Sequence, residues 1–168
     1  AFFAAFRHLL KQDLGFDGRH RRPPTDPINV LLSYGYTLLM NHVMSAVQIA
    51  GFDPYLGFLH SEGYGKPALA LDLMEEMRTP IVDSVVITVI NKNILRAEHF
   101  EDVLGVQRLT PGGRKLYLQQ FEQRLNTEIE HPVFKYKADY RRCLELQARL
   151  LAKFILGELP EYRPFQVR

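Results

Sequence analysis

Apolar residues recur at helical intervals along most of this chain. Phe2, Phe6, Leu9 and Leu10 share one side of an opening stretch that Gly15 ends, which predicts the tail of an amphipathic helix. Asp26 then stands as a cap, with Pro27 in the first helical position, where a missing N–H costs little. From there Leu31, Leu32, Leu38, Leu39, Val43, Ala46 and Val47 draw a wide apolar stripe towards Ala50, and Gly51 closes it. Such a helix is roughly 35 Å long and serves as the spine of a domain. Pro67 opens a further helix to about Arg78, and Thr79-Pro80 is expected to stop it and start the next.

Residues 81–95 pull in two directions. Val85-Val86-Ile87-Thr88-Val89-Ile90 is strand-like by composition. Apolar pairs at 81/82, 85/86 and 89/90 nevertheless repeat at a spacing near four, which predicts a buried helix. Glu98–Leu104 allows a short helix ended by Gly105. Thr110-Pro111 starts one running to about Ile129, and His131-Pro132 breaks the chain. The last helix is expected from about Lys135 to Leu156, with Tyr140, Leu144, Ala148, Leu151 and Ile155 inward. Every segment reads helical, so the predicted fold is all-α, a globular multi-helix unit spanning residues 1–168.

Composition narrows the class only a little. The chain has 168 residues, 46% hydrophobic and 24% charged, as expected of one well-packed domain. A formal net charge of +2 is too small to argue for nucleic acid by itself. The one cysteine, Cys143, excludes an internal disulfide framework and fits a reducing interior; its apolar register predicts packing rather than thiol chemistry. No stretch approaches the roughly 20 apolar residues that span a bilayer, so no membrane partner is expected. The run Ala1-Phe2-Phe3-Ala4-Ala5-Phe6 lacks an initiator Met and a cap, and predicts a chain cut from something longer.

The densest chemistry lies between His60 and Arg78. Asp72 and Glu75 stand three apart, so both carboxylates leave one helix face, and Arg78 continues that stripe. The segment Ser61-Glu62-Gly63-Tyr64-Gly65-Lys66 lets the imidazole fold back over the acids. Oxygen ligands with one nitrogen suit Mg²⁺ or Mn²⁺ better than a structural zinc. A carboxylate-held cation beside an arginine implies phosphate chemistry. The same letters also fit an ordinary solvated helix face with Leu71 and Met74 turned inward. Arg19, Arg21 and Arg22 form a basic loop that either grips a sugar-phosphate backbone or simply faces water. Lys135, Arg142, Arg149 and Lys153 read as the wet side of the last helix. Glu128-x-x-His131 is half of a di-iron motif whose second half is missing. Neither a nucleophile elbow nor a phosphate-binding glycine loop occurs.

Taken together, Arg21-Arg22-Pro23-Pro24-Thr25-Asp26-Pro27-Ile28-Asn29, Ser33-Tyr34-Gly35-Tyr36, Ala50-Gly51-Phe52-Asp53-Pro54-Tyr55-Leu56-Gly57-Phe58-Leu59-His60 and Leu71-Asp72-Leu73-Met74-Glu75-Glu76-Met77-Arg78 resemble the CRISPR-associated integrases of spacer acquisition, which are metal-dependent DNA endonucleases. Glu145-Leu146-Gln147-Ala148-Arg149 and Tyr162-Arg163-Pro164-Phe165 are similar to the closing segments of that family. The resemblance implies an α-helical catalytic domain, normally preceded by a small β-rich dimerisation domain that this chain lacks. It implies His60 and Glu75 as metal ligands for Mg²⁺ or Mn²⁺, Asp72 as an acid that supports the site or takes part in ligation, and Arg78 and Lys66 as cations beside DNA, with the Arg19–Arg22 loop on backbone phosphates. It further implies a prokaryotic cytoplasmic homodimer that works with a small dimeric adaptation partner protein. The reaction would join the 3′-hydroxyls of a captured duplex (the prespacer) to a CRISPR repeat. The family's third ligand, a glutamate, is expected shortly upstream of Ala1, which leaves an incomplete metal shell. The competing expectations are a non-catalytic helical scaffold for DNA or protein, and a ferritin-like metal carrier that would need a second Glu-x-x-His pair.

Overall fold

The computed structural model describes residues 2–21, 23–56 and 67–166. Helices α1 (Phe2–Leu9), α2 (Pro27–Ile49) and α3 (Ala68–Met77) come first, followed by a π-helical stretch (Arg78–Asp83) and α4 (Ser84–Asn91). A 3₁₀ turn (Ala97–His99) leads into strands β1 (Phe100–Val103) and β2 (Val106–Leu109). Then come α5 (Pro111–Leu125), β3 (Glu128–Glu130), β4 (Lys137–Asp139) and α6 (Tyr140–Ile155). Among the described residues, no helix is long and apolar enough to cross a membrane.

Helices dominate as expected, but the all-α expectation needs correcting. Two antiparallel hairpins, β1–β2 and β3–β4, interrupt the helical series. The helix expected at Glu98–Leu104 is instead a 3₁₀ turn and β1, because Leu104 (φ 56°) and Gly105 (φ 80°) close a tight two-residue turn between Val103 and Val106. Helix α5 stops at Leu125, and Ile129 pairs with Ala138 across the second hairpin. His131 builds that turn. Its backbone N–H donates to the Tyr136 carbonyl (2.9 Å), and its Nδ1 accepts from the N–H groups of Val133 (3.2 Å) and Phe134 (3.3 Å). Helix α6 consequently begins at Tyr140 rather than Lys135, capped by the Asp139 carboxylate, which accepts from the Arg142 N–H at 2.7 Å.

The segment from residue 81 onwards is helical, as its spacing implies. Thr79-Pro80, however, does not break the chain. Proline lacks the N–H for an α-helical bond and crowds the carbonyl one turn back. The backbone accommodates it by widening into the π-helical stretch and then resumes as α4.

The chain divides into two compact units, Ala1–Tyr36 with Val82–Arg124, and Thr37–Ile81 with Leu125–Arg168. In the first unit, Phe6 and Phe16 pack edge to face at 5.8 Å. Ile28, Leu31, Leu32, Val82, Val86, Val89, Ile90, Tyr117 and Phe121 are buried there. Asn29, fully buried at the start of α2, accepts from Arg19 Nη1 (2.8 Å) and the His20 N–H (2.9 Å), and donates to the Gly18 carbonyl (2.8 Å). Asp26 completes the expected cap by accepting from the Asn29 N–H at 2.9 Å. In the second unit, the remaining half of α2 buries Leu39, Val43, Ala46 and Val47. Helix α3 buries Leu69, Leu73, Met74 and Met77, and α6 buries Cys143, Leu144, Ala148 and Leu151.

Gly35 marks the tightest approach in the first unit. A Cβ at that position would lie 2.2 Å from the Tyr117 hydroxyl and 2.6 Å from Val82 Cγ1. The hydroxyl is itself buried without a hydrogen-bond partner among the described residues. Gly35→Ala is therefore expected to cost about 1–3 kcal/mol in urea unfolding. Tyr117→Phe should be close to neutral, since it deletes an unpaired buried group. The double variant should recover part of the Gly35→Ala loss, and simple additivity would contradict this steric account.

Candidate active site on helix α3

Helix α3 follows Pro67 and turns six apolar residues into its unit. Leu73, Met74 and Met77 occupy the inner side, which leaves Glu75 outward with its side chain 42% exposed. Arg78 follows one turn later, and its Nη1 lies 2.8 Å from Glu75 Oε1 and 2.9 Å from Oε2. A single guanidinium nitrogen thus lies close to both carboxylate oxygens and holds the Glu75 side chain towards Arg78. Asp72 is half-buried, one turn ahead of Glu75. The stripe expected from the sequence therefore exists, and its last two members are in contact.

Glu76, the next residue, has a different fate. Its Oε2 accepts from Gln147 Nε2 (2.9 Å) and the Phe165 N–H (2.8 Å), and its Oε1 accepts from the Tyr162 hydroxyl (2.8 Å). Gln147 Nε2 also lies 2.9 Å from the Tyr162 oxygen and 3.3 Å from the Arg163 carbonyl. The Tyr162 hydroxyl is held protonated, its pKa raised first by burial and then by the Glu76 charge. No role for Glu76, Gln147 or Tyr162 follows from the sequence pattern. The available signal was Gln147, a polar residue inside the apolar stripe of α6 formed by Leu144, Ala148 and Leu151.

Beyond Gln147 lies His131, wholly buried between Phe134 (ring centroids 5.0 Å apart) and Phe165 (5.5 Å). Burial lowers its pKa, and the Gln147 side chain acts in the opposite direction. With Nδ1 accepting two backbone N–H groups, the neutral ring carries its proton on Nε2. Cys143, also buried, has its thiol pKa raised to about 11, first by burial and then by the Asp139 charge, so it packs as an apolar side chain.

The arginines of the basic loop are not equivalent. Arg19 is turned inward: its Nη1 donates to Asn29 Oδ1 and to the His20 carbonyl (both 2.8 Å), its Nη2 to Ser33 Oγ (2.9 Å), and its guanidinium lies 5.7 Å from the Tyr36 ring centroid. Arg21 is exposed. Arg22, His60 and Lys66 lie outside the described residues, so the expected convergence of His60 on Glu75 falls outside them as well. Among the described residues, no three His, Cys, Asp or Glu side chains gather closely enough to hold a metal ion.

A family model described as "CRISPR associated protein Cas1" matches residues 1–123. This chain belongs to the Cas1 family. It is 48% identical over 99% of its length to "CRISPR-associated endonuclease Cas1 3" of Thermus thermophilus, covering 50% of that protein. It is 43% identical, again over 99% of its length, to a "CRISPR-associated exonuclease Cas4/endonuclease Cas1 fusion" of Geobacter sulfurreducens, covering 31% of it. Among solved structures, it is similar to a casposase bound to integration product, with a TM-score of 0.87 and 28% identity over 95% of this chain and 45% of that one. It is likewise similar to a partial Cas6-RT-Cas1–Cas2 complex, with a TM-score of 0.82 and 32% identity over 99% of this chain and 49% of that one. The chain spans about half the length, or less, of these relatives.

In this Cas1-family chain, the donor chemistry of α3 fits a hard divalent cation. Glu75 offers two oxygens at a half-exposed position, and Arg78 is the cation such an ion would have to share them with. Glu76 fits less well, because three donors from the protein already occupy its two oxygens.

The buried imidazole gives a measurable pH dependence. His131 has its pKa lowered from 6.5 in the folded state, so the unfolded chain binds the proton more readily. Its contribution to stability is fully present above pH 6.5 and is lost as the pH falls below that value. Thermal melts from pH 8 to pH 5 should show this decline, with a flatter slope in a His131→Gln variant.

Proposed function

We propose that this chain carries the catalytic face of a DNA integrase, which joins the 3′-hydroxyl ends of captured DNA to a CRISPR repeat. The observation that carries the reading is half-exposed Glu75 on α3, paired with Arg78 just beyond the helix, in a Cas1-family chain whose structural relatives include a casposase bound to integration product. The reaction is a transesterification. The 3′-oxygen forms a new bond to phosphorus and the target's P–O bond breaks. The departing 3′-oxygen ends with a proton equivalent to the one the nucleophile gave up. The number of phosphodiester bonds is unchanged, so no external energy source and no covalent protein intermediate are needed.

In this reading His60 and Glu75 hold a Mg²⁺ or Mn²⁺ ion, which when bound supplies Lewis-acid polarisation of the phosphoryl oxygen. Asp72 supports the same face. Arg78 orients Glu75 through its Nη1 contact, and its positive charge would favour a phosphate beside the ion. Exposed Arg21, with Arg22 and Lys66, contacts backbone phosphates. Arg19 acts at one remove, because its bonds to Asn29 and Ser33 fix the loop that carries Arg21. Solved relatives are described as Cas1–Cas2 complexes, which supports an assembly of homodimers with a small dimeric partner. The bacterial relatives support a cytoplasmic setting.

The test is strand transfer by the full-length protein, with a 3′-hydroxyl duplex, a branched target and Mn²⁺. Glu75→Ala and His60→Ala should each reduce product formation by about a hundredfold or more. Undiminished transfer in either variant would reject its assignment. If transfer is undetectable in every form, wild type included, while DNA is still bound, the non-catalytic scaffold reading is correct.

A further inference from the structure

We propose that Glu76, Gln147 and Tyr162 are positioning residues, through which the C-terminal segment Tyr162–Phe165 clamps helix α3 and fixes where Glu75 stands. The inference rests on the reading of Glu75 as a cation ligand.

Consecutive residues on a helix are separated by about 100° of rotation, so any constraint on the Glu76 side chain limits the rotation of α3 and hence the direction of Glu75. Glu76 is constrained from three directions. Gln147 reaches it from α6 at 2.9 Å, the Tyr162 hydroxyl at 2.8 Å and the Phe165 backbone at 2.8 Å. Each donor meets an ionised acceptor, the stronger class of hydrogen bond. The donors are themselves held. Gln147 is buried and reaches Tyr162 and the Arg163 carbonyl, while Phe165 is buried against His131 and Tyr140 (6.2 Å). Apolar packing alone could attach the tail without desolvating a carboxylate. What the carboxylate adds is direction, because three bonds of fixed geometry permit one rotation of the helix. The segment named by this clamp is otherwise exposed at Arg163 and Pro164, so its anchoring depends on these bonds together with the Phe165 ring.

The test compares full-length Tyr162→Phe and Glu76→Gln with Glu75→Ala and with Val89→Ala, a core variant in the other unit that lowers thermal stability without touching the clamp. Mn²⁺ binding is read by electron paramagnetic resonance of the free ion in the absence of DNA. Hydrogen–deuterium exchange of residues 68–77 is measured on the metal-free protein. We expect the two clamp variants to weaken Mn²⁺ binding by about tenfold, the effect typical of groups that orient a metal ligand, and to speed exchange across α3. Val89→Ala should change neither. Unaltered Mn²⁺ binding in Tyr162→Phe and Glu76→Gln, alongside loss of binding in Glu75→Ala, would overturn the clamp and leave the functional reading standing. Wild-type binding in Glu75→Ala would overturn both. A loss in Val89→Ala equal to that of the clamp variants would reduce the clamp to general stability and overturn it.

Discussion

The carboxylate of Glu76 is the constraint on which the second unit is organised. A half-buried carboxylate is costly unless its lone pairs are met, and among the described residues its partners come from α6 and the closing segment. That one side chain joins α3 to α6 and to Tyr162–Phe165 through three hydrogen bonds.

Two neighbouring glutamates therefore have opposite fates through the geometry of one helix. Glu75 meets solvent and Arg78, whereas Glu76, one residue further round, meets amide, hydroxyl and backbone donors. The first unit obtains a comparable restriction by steric means. Gly35 allows the Tyr117 ring to lie against α2 with no room for a methyl group, and the polar cost is an unpaired hydroxyl. Close packing can impose register as strictly as hydrogen bonding, but it confers no chemistry on the residues beside it.

Most of the helical framework was legible in the sequence because its signals are local. Asp26-Pro27 capped α2, Gly51 closed it at φ 90°, and the fourfold spacing of apolar pairs outweighed the strand-like composition of residues 85–90. The hairpins were not legible, since they depend on conformations that composition does not announce. Leu104 and Lys135 both adopt positive φ, which a bulky residue takes only when its surroundings insist. Glu75 and Arg78 could be paired from their spacing of three. The partners of Glu76 lie too far along the chain for any periodicity to reveal. Gln147, polar within an apolar stripe, was the one visible trace of them. Arg19 shows the converse error, a surface-looking charge turned inward to hold Asn29 and Ser33.

The partners of Glu76 are separated from it by 71, 86 and 89 positions. Contacts that close such long loops form late in folding, after the local helices are in place. On a ribosome, α3 emerges well before the residues that complete it. Until Gln147, Tyr162 and Phe165 have been synthesised, its inward acid has nothing to bond but water. A nascent or prematurely terminated chain thus carries its acidic helix unsecured, and the order of translation itself delays the finished surface until the Tyr162–Phe165 segment has been made.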